Sequence, residues 1–228
     1  MANKGKYYES QFEEATIELL REAHWQYTFG DDIHRKYTDP LIEEDLRNYL
    51  IKQHRDKNLT APEIDGIVAN LRNTGGQNDY YALRNAFLLY RDGYDFVYSD
   101  GRDNPFRLEY IDFEHPDHNI FRCVNQFVME QGRENRRPDI LLFINGIPVC
   151  IIELKNPTKQ NATIRDAHTQ ICTRYMRDIP ALLKYCALAV ISDGAKNALG
   201  TTYTPFEFFY EWKKINNEDK AGKGLDTL

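Results

Sequence analysis

One apolar stretch of this sequence ends in ionisable residues. Residues 137–155 have the sequence RPDILLFINGIPVCIIELK, and the second half is almost wholly apolar until Glu153. Successive strand residues point to opposite faces, so Glu153 and Lys155 share one face and Leu154 takes the other. Ionised groups at the end of a core strand cost free energy unless they are paired or bind a metal. The pattern therefore predicts a functional site at this end of the strand.

A predicted hairpin adds a third ionisable residue to this pair. Asn145-Gly146 lies between two apolar runs, which is a strong hairpin signal, and pairing about this turn places Asp139 near Glu153. Two carboxylates and an ammonium then meet at one edge of the sheet. Such a site suits Mg²⁺, which would polarise a phosphodiester, while Lys155 would orient a water or neutralise developing charge. The competing interpretation is a surface ion pair at a fraying strand end.

The composition fits one globular domain with a local positive charge. The chain has 228 residues, of which 42% are hydrophobic and 28% are charged. It contains neither a long apolar run nor a secretory leader, and its four cysteines are widely spaced, so we expect a cytoplasmic protein with reduced thiols. The net charge is −6, yet residues 133–184 contain 9 Lys and Arg against 5 Asp and Glu. This segment would attract an anionic ligand locally.

Periodicity and turn residues predict the surrounding elements. Helices are expected over residues 7–25, 39–55, 60–73, 80–93, 163–179 and 206–215. Strands are expected over residues 25–30, 107–113, 120–130, 139–144, 148–155 and 187–192. The predicted fold class is α/β (α+β), with a mixed β-sheet flanked by helices. His115 and His118 fall in the turn HPDHN, where the sequence favours solvent-exposed turn residues over metal ligands.

Pro138-Asp139 followed by Glu153-Leu154-Lys155 resembles the PD-(D/E)xK nuclease superfamily. The longer stretch NQFVMEQGRENRRPDILLFINGIPVCIIELKNPT, with later S-D-G and E-W segments, resembles the N-terminal nuclease domain of the R (HsdR) subunit of type I restriction enzymes. The likeness covers at least residues 124–214, and the first helix also fits it. It implies a restriction-endonuclease-like core with extra N-terminal helices.

The resemblance also implies a domain organisation. An endonuclease domain would span residues 1–215, with a helical segment at about 39–92 before the main sheet and a catalytic core at about 106–215. Residues 216–228 would form a linker toward a helicase or translocase motor. The motor's G-x-x-x-x-G-K-[ST] motif does not occur in this sequence, so ATP would be needed only by the motor domain.

For the strand pair, the resemblance implies specific roles. Asp139 and Glu153 would bind Mg²⁺ with help from the backbone carbonyl of Leu154, and Lys155 would be catalytic. A supporting acid is expected from the first helix, where Glu13 fits best and Glu9 and Glu14 are alternatives. A solvated helix face is the competing interpretation for these acids.

The family often has a Q-x-x-x-Y motif on the following helix, whereas this chain has Gln170 and Tyr175 one residue further apart. Five residues of a regular α-helix separate two side chains by about 140°. Either the helix is irregular or Tyr175 does not share the role of Gln170. Gln170 is therefore kept as a candidate site residue, and the sequence leaves open whether Tyr175 shares its role.

The remaining expectations concern DNA and partner proteins. Candidate phosphate contacts are Arg133, Arg136, Arg137, Lys159 and Arg165, against the default of solvated charges. The resemblance implies Mg²⁺-dependent cleavage of unmethylated foreign duplex DNA, in a prokaryotic cytoplasm, within a complex with the HsdM methyltransferase and HsdS specificity subunits. The alternatives are a freestanding PD-(D/E)xK repair nuclease and a catalytically silent docking module.

Overall fold

The computed structural model describes residues 3–102, 105–155, 163–194 and 196–211, with the side chains of the first helix described from Ser10 onward. The helices are α1 (Asn3–Glu22), α2 (Glu43–Gln53), α3 (Ala61–Asn73), α4 (Asp79–Asp92), α5 (Ile164–Thr169), α6 (Met176–Asp178) and α7 (Pro180–Leu183), and a π-helix (Gln170–Tyr175) joins α5 to α6. The strands are β1 (Gln26–Phe29), β2 (Tyr94–Phe96), β3 (Phe106–Leu108), β4 (Phe121–Asn125), β5 (Met129–Gln131), β6 (Glu134–Arg136), β7 (Ile140–Ile144), β8 (Ile147–Leu154), β9 (Leu188–Ser192), β10 (Asn197–Gly200) and β11 (Tyr210–Glu211). Among the described residues, no helix is both long and apolar enough to cross a membrane.

A seven-stranded mixed sheet organises the molecule. Its strand order is β1-β4-β7-β8-β9-β10-β11, and β2-β3 and β5-β6 form two smaller sheets. The pairs β1-β4 and β8-β9 are parallel, and the other neighbours in the large sheet are antiparallel. Helices pack against this sheet, so the predicted fold class is confirmed.

The β7–β8 hairpin lies at the centre of the sheet. Ile140 pairs with Ile152 and Ile144 pairs with Ile147, as the Asn-Gly turn predicted, with one irregularity between Leu142 and Phe143. Alternate side chains enter different cores. One face packs against the π-helix and its flanking helices, and the other packs against α1. The face toward the π-helix carries Leu141, Phe143 and Ile151, and the face toward α1 carries Ile140, Cys150, Ile152 and Leu154.

The helical segment α2–α4 forms a separate core with β2 and β3. The predicted capping box of α3 is confirmed, because Thr60 Oγ1 accepts a hydrogen bond from Glu63 N and Thr60 N donates to Glu63 Oε2. The predicted start of α2 at Asp39 is wrong, since α2 begins at Glu43. The Asp39 carboxylate instead accepts a hydrogen bond from Leu41 N and turns the chain before the helix.

Three further sequence predictions are wrong. The final helix is replaced by a 3₁₀ turn at Phe206–Phe208 and by β11, which pairs with β10, while residues 212–228, including the expected linker, lie outside the described part. The strand expected over residues 107–113 is only β3. The strand expected over residues 120–130 is split into β4 and β5, because Gln126 has a φ of +54° and turns the chain out of the sheet.

Gly146 makes the tightest backbone contact of the hairpin turn. Its φ is +76°, and a Cβ at this position would lie 2.1 Å from the carbonyl oxygen of Ile42. We expect Gly146→Ala to lower the free energy of unfolding by about 2–5 kcal/mol, since it adds both backbone strain and a steric overlap. Urea denaturation measures this loss.

Gly132→Ala is the matched control for this substitution. Gly132 also has a positive φ of +63°, but no neighbouring atom of the described residues would lie within 4 Å of a Cβ added there. We expect this change to cost only the backbone strain, roughly 1–2 kcal/mol. Equal losses in the two variants would show that the contact with Ile42 does not matter.

Candidate active site

The carboxylate of Glu153 is fully buried at the end of β8, with 0% of the residue exposed. Its Oε1 accepts a hydrogen bond from Lys155 Nζ at 2.6 Å, and its Oε2 accepts one from the Tyr175 hydroxyl at 3.3 Å. Burial, followed by the negative charge of Asp139, raises the pKa of Glu153 to about 8, against the opposing effects of Lys155 and Tyr175. The positive charge of Lys155 therefore does not fully offset the effect of burial on this carboxylate.

Asp139 lies immediately before β7 and is anchored to the end of β8. Its Oδ2 accepts a hydrogen bond from Leu154 N at 2.8 Å. The negative charge of Asp139 raises the pKa of both Glu153 and Tyr175, so the Asp139 carboxylate lies near both groups. The carbonyl oxygen of Leu154 accepts a hydrogen bond from Lys155 Nζ at 3.3 Å. The structure thus brings together the four strand-pair residues that the sequence selected.

Tyr175 enters the same site through the π-helix. In this segment the hydrogen-bonded turn is wider than in an α-helix, so residues five apart come close together. Gln170 Nε2 donates a hydrogen bond to the Tyr175 oxygen at 2.7 Å, and the Tyr175 hydroxyl contacts Glu153. The helix is irregular, which is the first of the two possibilities that the sequence left open, and Tyr175 lies at the candidate site together with Gln170. The extra residue between Gln170 and Tyr175 is the sequence feature that could have revealed this wide turn.

Glu13 reaches this end of the sheet from α1. Its Oε1 accepts hydrogen bonds from Asn125 Nδ2 at 2.7 Å and from Gln126 Nε2 at 3.1 Å. The backbone N–H of Gln126 donates to the carbonyl oxygen of Asp139 at 3.3 Å, so Gln126 links the Glu13 carboxylate to the Asp139 backbone. Glu14 is more exposed than Glu13, and the side chain of Glu9 lies outside the described residues. Sequence reasoning missed the two amide side chains, because their residue types carry no catalytic signature.

The predicted phosphate-contacting residues that the structure describes have different surroundings. Arg136 is already bound to carboxylates, with N–O distances of 2.5 Å to Glu134 and 2.6 Å to Asp178. Arg165 lies 3.5 Å from the carboxylate of Glu207, although its side chain remains largely exposed. Arg133 and Arg137 flank β6 in the chain and are exposed, and Lys159 lies outside the described residues.

Comparison with known proteins places the chain in a family. The family model for the type I restriction enzyme R protein N terminus matches residues 6–208. The chain belongs to this family. The resemblance to the N-terminal part of the R subunit is therefore confirmed, and the chain corresponds to the N-terminal domain of a type I restriction enzyme endonuclease subunit.

Two relatives show how much of such a subunit this R protein N-terminal domain covers. The type I restriction enzyme HindI endonuclease subunit of Haemophilus influenzae is 28% identical over 94% of this chain and 21% of its own length. The MjaIXP endonuclease subunit of Methanocaldococcus jannaschii, also named for a type I restriction enzyme, is 30% identical over 91% of this chain and 20% of its own length. The domain thus spans about a fifth of the relatives that it matches.

The raised pKa of Glu153 predicts how stability depends on pH. The folded domain holds this proton more tightly than the unfolded chain, whose pKa is near 4.5. The stability that Glu153 contributes is therefore fully present below about pH 4.5 and is lost as the pH rises to about 8. In EDTA, we expect the wild type to lose stability relative to Glu153→Gln across this window.

Urea denaturation of both proteins at a series of pH values measures the difference. Glu14→Gln is the matched control, since Glu14 is exposed and its replacement should leave the pH profile parallel to that of the wild type. Parallel profiles for the wild type and Glu153→Gln would mean that Glu153 ionises in the folded domain as easily as in the unfolded chain.

Proposed function

We propose that this domain is the Mg²⁺-dependent nuclease of a type I restriction enzyme and hydrolyses phosphodiester bonds of unmethylated foreign duplex DNA. One observation carries the proposal: a fully buried carboxylate, Glu153, meets Asp139, Lys155 and Tyr175 at one end of a hairpin. A perturbed pKa at such a cluster is typical of a functional site. Membership of the endonuclease-subunit family supports the same reaction.

The donor atoms of the site fit a hard divalent cation. Asp139, Glu153 and the carbonyl of Leu154 offer oxygen ligands, which Mg²⁺ prefers over nitrogen or sulfur. Burial and the negative charge of Asp139 raise the pKa of Glu153, so an added positive charge would favour its ionised form. A bound Mg²⁺ would supply that charge and act as a Lewis acid toward a phosphate oxygen.

Side chains of the domain would supply the remaining positioning and charge-stabilising roles. The ammonium of Lys155, held 2.6 Å from Glu153, is positioned to orient a water and to stabilise negative charge that develops on the phosphate. Tyr175 and Gln170 form a hydrogen-bonded pair that holds the second oxygen of Glu153 in place. Gln126 would keep Glu13 and Asp139 at a fixed separation, because it contacts both.

The complete activity would depend on further components. We propose that the R subunit acts with HsdM and HsdS, that DNA reaches the nuclease site through a helicase-type motor of the same subunit, and that ATP is consumed only by that motor. The family membership and the endonuclease-subunit names of the relatives support this arrangement. The alternative of a silent docking module gives no reason for a buried carboxylate beside Asp139 and Lys155.

Lys155→Ala tests the catalytic assignment in a complete R subunit assembled with its partners. We expect DNA cleavage to fall by at least about 10²-fold, because the ammonium no longer stabilises the developing charge. ATP hydrolysis and translocation should be retained, since those belong to the motor. Lys52→Ala is the matched control, because Lys52 is exposed on α2, and it should cut DNA at the wild-type rate. Unchanged cleavage by Lys155→Ala would reject the assignment.

The domain alone should bind duplex DNA weakly. Tight non-specific binding requires about six to ten phosphate contacts, but the chain has a net charge of −6 and Arg136 is engaged by carboxylates. We expect a Kd of roughly 100 µM near physiological salt and a salt slope shallower than about −4, measured by fluorescence anisotropy. Efficient cutting of linear duplex by residues 1–228 with Mg²⁺ and no ATP would instead favour a freestanding nuclease.

A further inference from the structure

A second cluster of metal-binding side chains lies at the opposite end of the β7–β8 hairpin. Asp112, His115 and His118 each offer one ligand atom, and these atoms all lie within 4.8 Å of one another. The loop that carries them is joined to the hairpin turn, since Asn145 Nδ2 donates a hydrogen bond to Asn119 Oδ1 at 2.8 Å. Strand β7 has five residues, so this turn lies about 17 Å from the carboxylate end of the hairpin. The cluster is therefore separate from the candidate active site.

The two imidazole rings converge on one carboxylate oxygen. Asp112 Oδ2 lies 2.9 Å from His118 Nδ1 and 3.7 Å from His115 Nδ1. The rings are stacked, with centroids 5.0 Å apart and planes inclined by 19°. In a tetrahedral zinc site with bonds of about 2.1 Å, neighbouring ligand atoms are about 3.4 Å apart. The two observed distances lie on either side of this value, so small side-chain rotations would complete three corners of such a site.

The Asp112 carboxylate is held in place by other residues. The residue is 4% exposed, its Oδ1 accepts hydrogen bonds from Glu114 N at 3.0 Å and His115 N at 2.8 Å, and its Oδ2 accepts one from Gln53 Nε2 at 2.9 Å. A buried, oriented carboxylate with an outer amide donor is the support that metal-ligating carboxylates use.

The histidines are accessible from solvent. The side chains of His115 and His118 are 61% and 44% exposed, so an ion can reach the cluster without unfolding the loop. Two imidazole nitrogens with one carboxylate oxygen suit zinc and its neighbours, whereas Mg²⁺ requires oxygen ligands. The site would leave a fourth position for water.

We propose that Asp112, His115 and His118 bind one Zn²⁺-type transition-metal ion, which closes the 112–119 loop beside the β7–β8 turn. The loop already closes on itself, because Asn119 Nδ2 donates to Asp112 O at 2.7 Å and Asp112 N donates to Asn119 Oδ1 at 2.9 Å. The ion would add a crosslink between Asp112 and the 3₁₀ turn Pro116–His118. Binding of the ion to the native state alone would stabilise the folded domain.

Zn²⁺ titration of the metal-free 228-residue chain tests this proposal. Calorimetry is done with excess Mg²⁺ present and in the Glu153→Gln background, so that binding at the carboxylate end of the hairpin is suppressed. We expect one equivalent of Zn²⁺ to bind and to raise the Tm, and Co²⁺ to give visible absorption bands of a nitrogen-ligated ion. The His115→Ala/His118→Ala double variant should bind at least about 100-fold more weakly, and Gln53→Ala about 10-fold more weakly.

His34→Ala is the matched control, because His34 is an exposed histidine outside the cluster, and it should bind Zn²⁺ like the parent. Asp112→Asn is the second loss-of-ligand variant, since an amide oxygen still accepts the backbone hydrogen bonds of the loop. It should lose Zn²⁺ binding while the metal-free protein keeps its circular dichroism spectrum. Zn²⁺ binding that survives both the double histidine variant and Asp112→Asn would overturn the proposal. The absence of stoichiometric binding by the parent would overturn it as well. In either case the cluster would be only a hydrogen-bonded turn.

Discussion

The pairing of β7 with β8 determines where the candidate catalytic groups lie. The turn between them has positive φ at both central residues, +51° at Asn145 and +76° at Gly146, which suits the right-handed twist of a two-residue hairpin. This register brings Asp139 to the amide of Leu154. A slip of one residue would exchange the two faces of β8, moving Glu153 toward the apolar side chains of α1 and Leu154 toward Tyr175.

Burying the Glu153 carboxylate costs free energy of folding, and the rest of the fold must offset that cost. Its ionisation is unfavourable in the folded domain, and replacing such a group is often stabilising at functional sites. Around it, the apolar packing of β7, β8 and the π-helix supplies the stability that keeps the group in place. A buried carboxylate with a perturbed pKa is more typical of a functional site than of a stabilising interaction.

Local patterns in the sequence are sufficient to predict much of the fold. The Asn-Gly hairpin, the Thr60 capping box and the apolar strand β9 are all predictable, because each depends on neighbouring residues. The prediction of a final helix is wrong because residues 206–211 pack on the sheet edge, where pairing with β10 overrides their periodicity. The break in the strand at Gln126 also depends on tertiary contacts, since this residue joins Glu13 to Asp139 across the chain.

The candidate site is predictable where its residues are close in sequence. Asp139, Glu153 and Lys155 belong to one hairpin, so the turn sets their separation. Asn125, Gln126 and Tyr175 come from elsewhere in the chain, and only the folded structure brings them to the same end of the sheet.

The π-helix also preserves the rotational alignment of the segment that follows it. In a regular α-helix, one additional residue rotates everything downstream by about 100°. The wide turn absorbs that rotation locally, so Asp178 still meets Arg136, and Ile179 and Leu182 remain in the core beneath the sheet. One extra residue in this segment is therefore compatible with the same packing downstream, and a search for candidate site residues at a fixed helical spacing would overlook Tyr175.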